Sequence, residues 1–156
     1  MKRRAAVVAV VVMLVSLIAA CGDDDDGDDE AGGGGGEELD VVLSEFVVEP
    51  ENGSVAAGEV TFVADNQGAE VHELLVVDAD SPDELPVDAD GAFDEAAFGA
   101  DKILGEAEDI APGDQAEVTV DVEPGNYVLL CNLVEMEGGE VESHFAMGMR
   151  TTITAE

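Results

Sequence analysis

The C-terminal part of the chain concentrates side chains that bind soft metal ions. Cys131, His144 and Met149 lie close together in a chain that has only 2 cysteines, 2 histidines and 5 methionines. His72, the other histidine, follows a turn signal at residues 65–68. Thiolate and thioether ligands favour Cu(I), and imidazole suits both oxidation states of copper. Together these side chains predict a copper site that exchanges one electron.

Short apolar runs must carry these residues into one place. The runs are rich in Val, Thr, Leu and Phe, and turn signals such as Pro112-Gly113 and Pro124-Gly125, which favour type II turns, separate them. Short strands joined by such turns predict an all-β fold, an antiparallel Greek-key β-sandwich. We predict strands at residues 41–48, 59–64, 71–77, 115–122, 126–131 and 149–155.

The predicted strands bring the candidate ligands to one end of the sandwich. Cys131 ends the penultimate strand, Met149 begins the last one, and His144 lies in the loop between them. His72 lies in an earlier strand and could supply a fourth ligand.

Two motifs in this region resemble those of the cupredoxins, the family of small copper proteins that includes plastocyanin and azurin. They are PGNYVLLCN at residues 124–132 and HFAMGM at residues 144–149, and the similarity extends over residues 39–155. The resemblance implies the cupredoxin fold and one copper ion held by four side chains. The implied ligands are His72, Cys131, His144 and Met149.

The thioether position has competitors. Met136 and Met147 are also thioethers, but in the family a glycine precedes the axial methionine, and here Gly148 precedes Met149. The resemblance therefore favours Met149 as the axial ligand.

The sequence departs from the family pattern in two places. Glu73 follows the first candidate histidine, where the plastocyanin and azurin types commonly have asparagine. The loop between Cys131 and His144 has twelve residues, where those types have a handful. We expect residues 135–142 to project outward from a turn at Gly138-Gly139, with the ends of the loop left in place.

A long acidic segment, residues 78–109, interrupts the strand pattern. A connection of this length is unusual inside a small sandwich and indicates an insertion. Within it, residues 93–104 are able to form a short helix.

The N-terminus has the layout of a secretory signal peptide, with a basic start, an apolar run and small residues before Cys21. Ile18-Ala19-Ala20-Cys21 resembles a bacterial lipobox, so we expect lipidation of Cys21; an uncleaved anchor helix is the alternative. We predict a lipoprotein signal peptide at residues 1–20, a lipidated and disordered acidic, glycine-rich tether at residues 21–38, and a cupredoxin-like domain at residues 39–156.

Lipidation of Cys21 would give Cys131 a chemical role. Cys131 would have no intramolecular partner in a compartment where thiols tend to be oxidised. Such a thiol needs either deep burial, as a small hydrophobe, or a ligand. The neighbouring donors favour the metal ligand.

The charge of the chain excludes several classes of partner. The chain has 38 acidic and 5 basic residues, a net charge of −33. A polyanion of this size repels nucleic acid and anionic lipid surfaces, so we expect neither as a partner. Its 2 histidines are too few for a second, catalytic metal site, and the sequence has no nucleophile elbow, so we do not expect an enzyme.

These features predict an electron carrier that a lipid at Cys21 holds on the extracytoplasmic side of the cell membrane. We expect a monomer that serves redox partner proteins at the membrane and passes electrons near the surface, through His144 with Phe145 and Ala146 beside it. The alternatives are a copper module for delivery or buffering, for instance to an oxidase, and a metal-free surface domain.

Overall fold

Two β-sheets packed face to face make up most of the structure. The computed structural model describes residues 36–156, so the predicted signal peptide, Cys21 and most of the predicted tether lie outside the described residues. The strands are β1 (Glu37–Ser44), β2 (Val47–Pro50), β3 (Ser54–Val55), β4 (Gly58–Asn66), β5 (His72–Asp78), β6 (Ile103–Ile110), β7 (Gln115–Val122), β8 (Gly125–Leu130), β9 (Val134–Glu137), β10 (Glu140–Ser143) and β11 (Arg150–Ala155).

The sheets contain both parallel and antiparallel pairs. One sheet has the strand order β2-β1-β4-β7, the other β3-β11-β8-β5-β6, and β9 and β10 form a separate hairpin. β1 pairs in parallel with β4, and β11 pairs in parallel with β3. The predicted β-sandwich is confirmed, but its sheets are mixed rather than purely antiparallel. Parallel neighbours need a crossover connection, and the segment that carries β2 and β3 provides it between β1 and β4.

The first predicted strand, residues 41–48, is a hairpin. β1 ends at Ser44, the chain turns at Glu45 and Phe46, and β2 pairs antiparallel with β1. Phe46 has a φ of 62°, which is rare for a bulky side chain. The sequence contains no glycine, asparagine or proline at this point, so its turn gives no local signal. β1 also begins at Glu37, before the predicted start of the domain.

The acidic segment contains a strand that the sequence pattern did not predict. The short helix is present, but α1 spans only Glu95–Phe98, and a 3-10 turn at Ala100–Lys102 leads into β6. β6 is an edge strand paired with β5. Its exposed residues are acidic, and its two buried residues, Ala107 and Ile110, lie three positions apart, so it does not show the alternation of a half-buried strand. No helix in the described part of the chain is long and apolar enough to span a membrane.

The five-stranded sheet is buried on both faces along its central strands β5 and β8. Between the sheets, its inner face packs against the four-stranded sheet in a core that includes Phe62, Leu74 and Val120. On the outer face, Leu75 of β5 packs in a cluster with Phe93 of the acidic segment. A strand covered on both faces reads as a continuous apolar run rather than an alternating one, as the LLVV of β5 does. Part of the acidic segment therefore covers the outer face of this sheet in a second apolar cluster.

Candidate metal centre

Strand ends and one turn hold the candidate ligands. His72 is the first residue of β5, Cys131 directly follows β8, and His144 directly follows β10. Met149 directly precedes β11. The N–H of Cys131 donates to the carbonyl of Met149 at 3.0 Å, and the N–H of Met149 donates to the carbonyl of His144 at 3.0 Å. These backbone bonds join the last three candidate ligands into one unit.

The donor atoms of three candidate side chains converge. Nδ1 of His144 lies 3.3 Å from Nδ1 of His72 and 3.4 Å from Sγ of Cys131. The three donors lie within 4.8 Å of one another, and all three residues are 0 % exposed. A metal ion between donor atoms at this spacing can form bonds of about 2.0–2.3 Å, the lengths that Zn²⁺ makes to nitrogen and sulfur ligands. The arrangement fits one metal ion, held by a ring nitrogen of each histidine and by the thiolate.

Burial sets the protonation of these donors. Desolvation raises the pKa of Cys131 to about 11, and hydrogen bonds from the backbone of Leu133 and Glu73 oppose that rise. Desolvation, together with repulsion from His144, lowers the pKa of His72. At neutral pH the metal-free site therefore holds a neutral thiol beside a neutral His72, and a bound metal cation would displace the thiol proton.

Met149 is the buried member of the three candidate thioethers. It is 0 % exposed and packs in the same core as Cys131, whereas Met147 is 55 % exposed and Met136 is 68 % exposed. Residues 144–148 form a turn rather than the start of a strand, so Met147 and Met149 do not share a face. Gly148 between them has a φ of 108°, a backbone conformation that favours glycine. The burial supports Met149 as the predicted axial ligand.

The long loop between two of the candidate ligands forms the β9–β10 hairpin, as predicted. Its turn residues Gly138 and Gly139 have φ angles of 61° and 94°, as a type I′ turn requires. At its base, the N–H of His144 donates to the carbonyl of Leu133 at 2.9 Å. The hairpin therefore leaves Cys131 and His144 together, and of its residues Glu135 keeps a carboxylate oxygen within 4.8 Å of a ring nitrogen of His144.

Glu73 connects β5 to the residue after Cys131. Its Oε1 accepts a hydrogen bond from the N–H of Asn132 at 2.9 Å. Desolvation raises the pKa of Glu73 to about 7. The side chain of Asn132 in turn bonds the N–H and carbonyl of Phe93, at 2.7 and 3.0 Å, which attaches the acidic segment to the site. The sequence marked Glu73 as a departure from the family but gave no sign of its partner.

Asn66 fixes the loop that leads to His72. Its buried Nδ2 donates to the carbonyls of Glu70 and Ile110, at 2.8 and 2.7 Å. Its Oδ1 accepts a bond from the N–H of Gly68 at 2.9 Å. One side chain therefore satisfies three backbone groups around the first candidate histidine.

The outer edge of His144 is covered rather than open. The ring of Phe46 meets it edge-on with centroids 5.7 Å apart, and Oε2 of Glu70 lies 3.8 Å from its Nε2. His144 is 0 % exposed and Phe145 is 1 % exposed, so of the three residues predicted to form the electron exit only Ala146 reaches solvent. Nothing in the sequence distinguishes Glu70 from the many other acidic residues.

Comparison with solved structures identifies the architecture. The dithionite-reduced auracyanin of Roseiflexus castenholzii aligns with a TM-score of 0.54 and 19% identity, over 79% of this chain and 99% of that chain. Auracyanin B aligns with a TM-score of 0.51 and 19% identity, over 77% and 88%. No protein-family model and no curated protein matches the sequence. Both auracyanins are cupredoxins, and at this identity the similarity is one of fold. The chain therefore has the cupredoxin fold that its C-terminal motifs predict.

Proposed function

We propose that this protein is a type 1 (blue) copper protein that transfers single electrons outside the cytoplasm, tethered to the membrane by a lipid at Cys21. The observation that carries the proposal is the convergence of Nδ1 of His72, Sγ of Cys131 and Nδ1 of His144 in a fully buried site. Two imidazoles and a thiolate, with a weak axial thioether, are the donor set of blue-copper electron-transfer sites. Met149 supplies that thioether.

The backbone around the proposed site favours electron exchange because its hydrogen bonds hold the donor residues in place. When bound, copper supplies the Cu(I)/Cu(II) couple. His72 and Cys131 are fixed at strand ends, and backbone bonds hold Met149 to both Cys131 and His144. Donors held in this way keep their positions when the charge of the ion changes, so little rearrangement opposes electron transfer.

The surroundings of the thiolate set the potential in this proposal. The backbone groups of Leu133 and Glu73 favour the thiolate form of Cys131, because they lower its pKa. Hydrogen bonds to the ligand sulfur, the apolar surroundings and the axial ligand are the features that tune a blue-copper potential. The potential is therefore a property of the strand ends as well as of Met149.

The proposed partners are redox proteins at the same membrane. The chain carries 38 acidic residues, and the described part contains two basic ones, Lys102 and Arg150. A partner with a basic docking surface would be attracted, and the association would weaken as salt increases. We propose that the chain acts as a monomer and has no enzymatic activity of its own.

Copper delivery is the second candidate function, because two exposed thioethers flank His144 along the chain. Met136 lies in β9 and Met147 lies in the turn after His144, and both are mostly exposed. Thioethers bind Cu(I), so these two side chains could pass the ion to or from the buried donors.

Electrochemistry combined with copper transfer tests the proposal against this alternative. With one copper per chain, electron transfer predicts a reversible one-electron wave and retention of Cu(I) in the presence of a Cu(I) chelator. The variant Met136→Leu/Met147→Leu should behave in the same way. Delivery predicts instead that Cu(I) passes to the chelator faster than electrons are exchanged, and that the double variant loses this fast transfer. That result would contradict electron transfer and establish delivery.

A further inference from the structure

We propose that Glu70, Glu135 and Nε2 of His144 form a second, outer cation site for a divalent transition-metal ion such as Cu²⁺ or Zn²⁺. A carboxylate oxygen of each glutamate and a ring nitrogen of His144 lie within 4.8 Å of one another. Nε2 of His144 is 3.8 Å from Oε2 of Glu70. His144 therefore presents Nδ1 to Cys131 on its inner side and Nε2 to the carboxylate of Glu70 on its outer side.

The facing atoms of His144 and Glu70 are both buried and unpartnered. Nε2 of His144 and Oε2 of Glu70 have no hydrogen-bond partner among residues 36–156. Their separation of 3.8 Å is too long for a hydrogen bond. Buried polar atoms in folded proteins are normally paired, so such an orphaned pair calls for a missing partner. A cation bound between them would satisfy both atoms.

The local charge favours a cation over a neutral ligand. The carboxylates of Glu135, Glu142 and Glu45 lie close enough to repel the charge of Glu70, and His144 attracts it. Negative charge therefore accumulates around Glu70, the carboxylate that faces Nε2 of His144. A divalent ion would relieve the repulsion among these carboxylates.

The donor set indicates the class of ion. Imidazole with two carboxylates is a borderline to hard set, which suits Zn²⁺ and Cu²⁺. The inner site has a thiolate and suits softer ions. The outer site therefore differs in selectivity from the site that contains Cys131.

The inner and outer sites are alternatives at His144. A neutral imidazole has one N–H and one nitrogen with a free lone pair. If Nδ1 binds an inner ion, Nε2 carries the proton, and if Nε2 binds an outer ion, Nδ1 carries it toward Cys131. Glu135 is exposed, whereas the three inner donor residues are fully buried. The outer site is therefore an entry station, a place where an ion from solution binds His144 before it moves to the inner donors. This role rests on the proposed copper function, but the outer site itself does not.

The outer site is tested by titrating CuCl₂ into the full chain that carries His72→Gln/Cys131→Ser. These two substitutions remove the thiolate and one imidazole of the inner site. Calorimetry and electron paramagnetic resonance should show one Cu²⁺ bound through a single nitrogen. Adding Glu70→Gln/Glu135→Gln should weaken binding at least tenfold. Adding Glu117→Gln/Glu140→Gln, which removes the same charge at two exposed positions, should change it less than twofold. Equal weakening by both pairs, or by neither, would overturn the proposal.

A second measurement keeps the inner site intact, in case the background variant does not fold. After Cu²⁺ is mixed with the metal-free full chain, the site containing Cys131 should fill at least fivefold more slowly in Glu70→Gln/Glu135→Gln than in wild type or Glu117→Gln/Glu140→Gln. Equal filling rates would contradict the entry station. A chain that never forms a thiolate-bound copper site would refute the proposed function, while the calorimetric test would still decide on the outer site.

Discussion

The two sides of the metal centre are built differently. His72 and Cys131 lie at the ends of β5 and β8, neighbouring strands inside the five-stranded sheet. His144 and Met149 lie in a turn that follows an inserted hairpin, held by a few backbone bonds. We call His72 and Cys131 the strand side and His144 and Met149 the turn side. Sheet formation positions the strand side, whereas local hydrogen bonds position the turn side. Loss of hydrogen bonds on the strand side should therefore cost stability, and changes on the turn side should alter metal binding in a domain that still folds.

The largest loss of stability is expected for Asn66→Ala on the strand side. The change leaves two carbonyls and one N–H around the His72 loop without their partner. At about 1 kcal/mol for each hydrogen bond, the free energy of unfolding should fall by roughly 3 kcal/mol. Urea unfolding of the metal-free chain measures this, with the exposed Asn52→Ala as the control. A loss below 1 kcal/mol would mean that the strand side is not fixed in this way.

Two glycine substitutions separate the turn side from the hairpin. Gly148→Ala places a side chain at a φ of 108° between His144 and Met149, which should cost roughly 1–3 kcal/mol or displace the turn. Copper affinity should fall at least tenfold. Gly139→Ala makes the same chemical change at a φ of 94° in the exposed hairpin, and copper affinity should change less than twofold. Competition with a copper chelator distinguishes the two outcomes, and equal losses would remove the distinction between turn and hairpin.

Glu73 gives the strand side a dependence on pH. Its pKa is about 7 in the folded chain, against an ordinary value of 4.5, so the folded state binds the proton more tightly. The metal-free fold should therefore lose stability as the pH rises from about 4.5 to about 7. Glu73→Gln keeps an oxygen for the Asn132 N–H and removes the charge. Its free energy of unfolding should exceed that of wild type by roughly 1–2 kcal/mol at pH 8 and differ little at pH 5.

The matched control for this pH effect is Glu117→Gln, which removes an exposed charge from β7. It accounts for the general repulsion within an acidic protein, which also weakens at low pH. If Glu117→Gln reproduces the difference between pH 5 and pH 8, the effect does not come from the burial of Glu73.

The smallest effect is expected for Arg150→Met on the turn side. The guanidinium lies over the ring of Phe145, 4.3 Å from its centroid, and Nη1 donates to the Phe145 carbonyl at 3.1 Å. Loss of both contacts should cost about 1 kcal/mol. Amide hydrogen exchange of residues 145–149 should accelerate, whereas the amides of β5 should not change. Lys102→Met, which removes a cation 5.2 Å from the Phe98 ring, is the control.

The sequence predicted the parts of the site that depend on local chemistry. The turn at Gly138-Gly139 was predictable because two adjacent glycines accept the positive φ angles that a tight hairpin needs. The motifs around Cys131 and His144 predicted that these two donors lie together, and the structure places Sγ and Nδ1 3.4 Å apart. These features need only neighbouring residues to be recognised.

The remaining features depend on contacts between distant segments. Glu73 meets Asn132, and Glu70 meets His144, only once the sheets are assembled. β6 was hidden because its buried residues, Ala107 and Ile110, do not alternate with its exposed acids in the period of two that marks a strand. The turn at Phe46 was hidden because phenylalanine does not by itself favour a positive φ. The Phe46 ring packs against His144, a contact that forms only in the folded chain.

The most direct test of the account is a Cu²⁺ titration of the metal-free full chain followed by visible absorption and electron paramagnetic resonance. We predict an intense visible band that saturates at one equivalent, bleaches reversibly with a reductant and is absent in Cys131→Ser. A colourless product, or a band that survives in Cys131→Ser, would contradict a thiolate-bound copper at the centre formed by His72, Cys131 and His144.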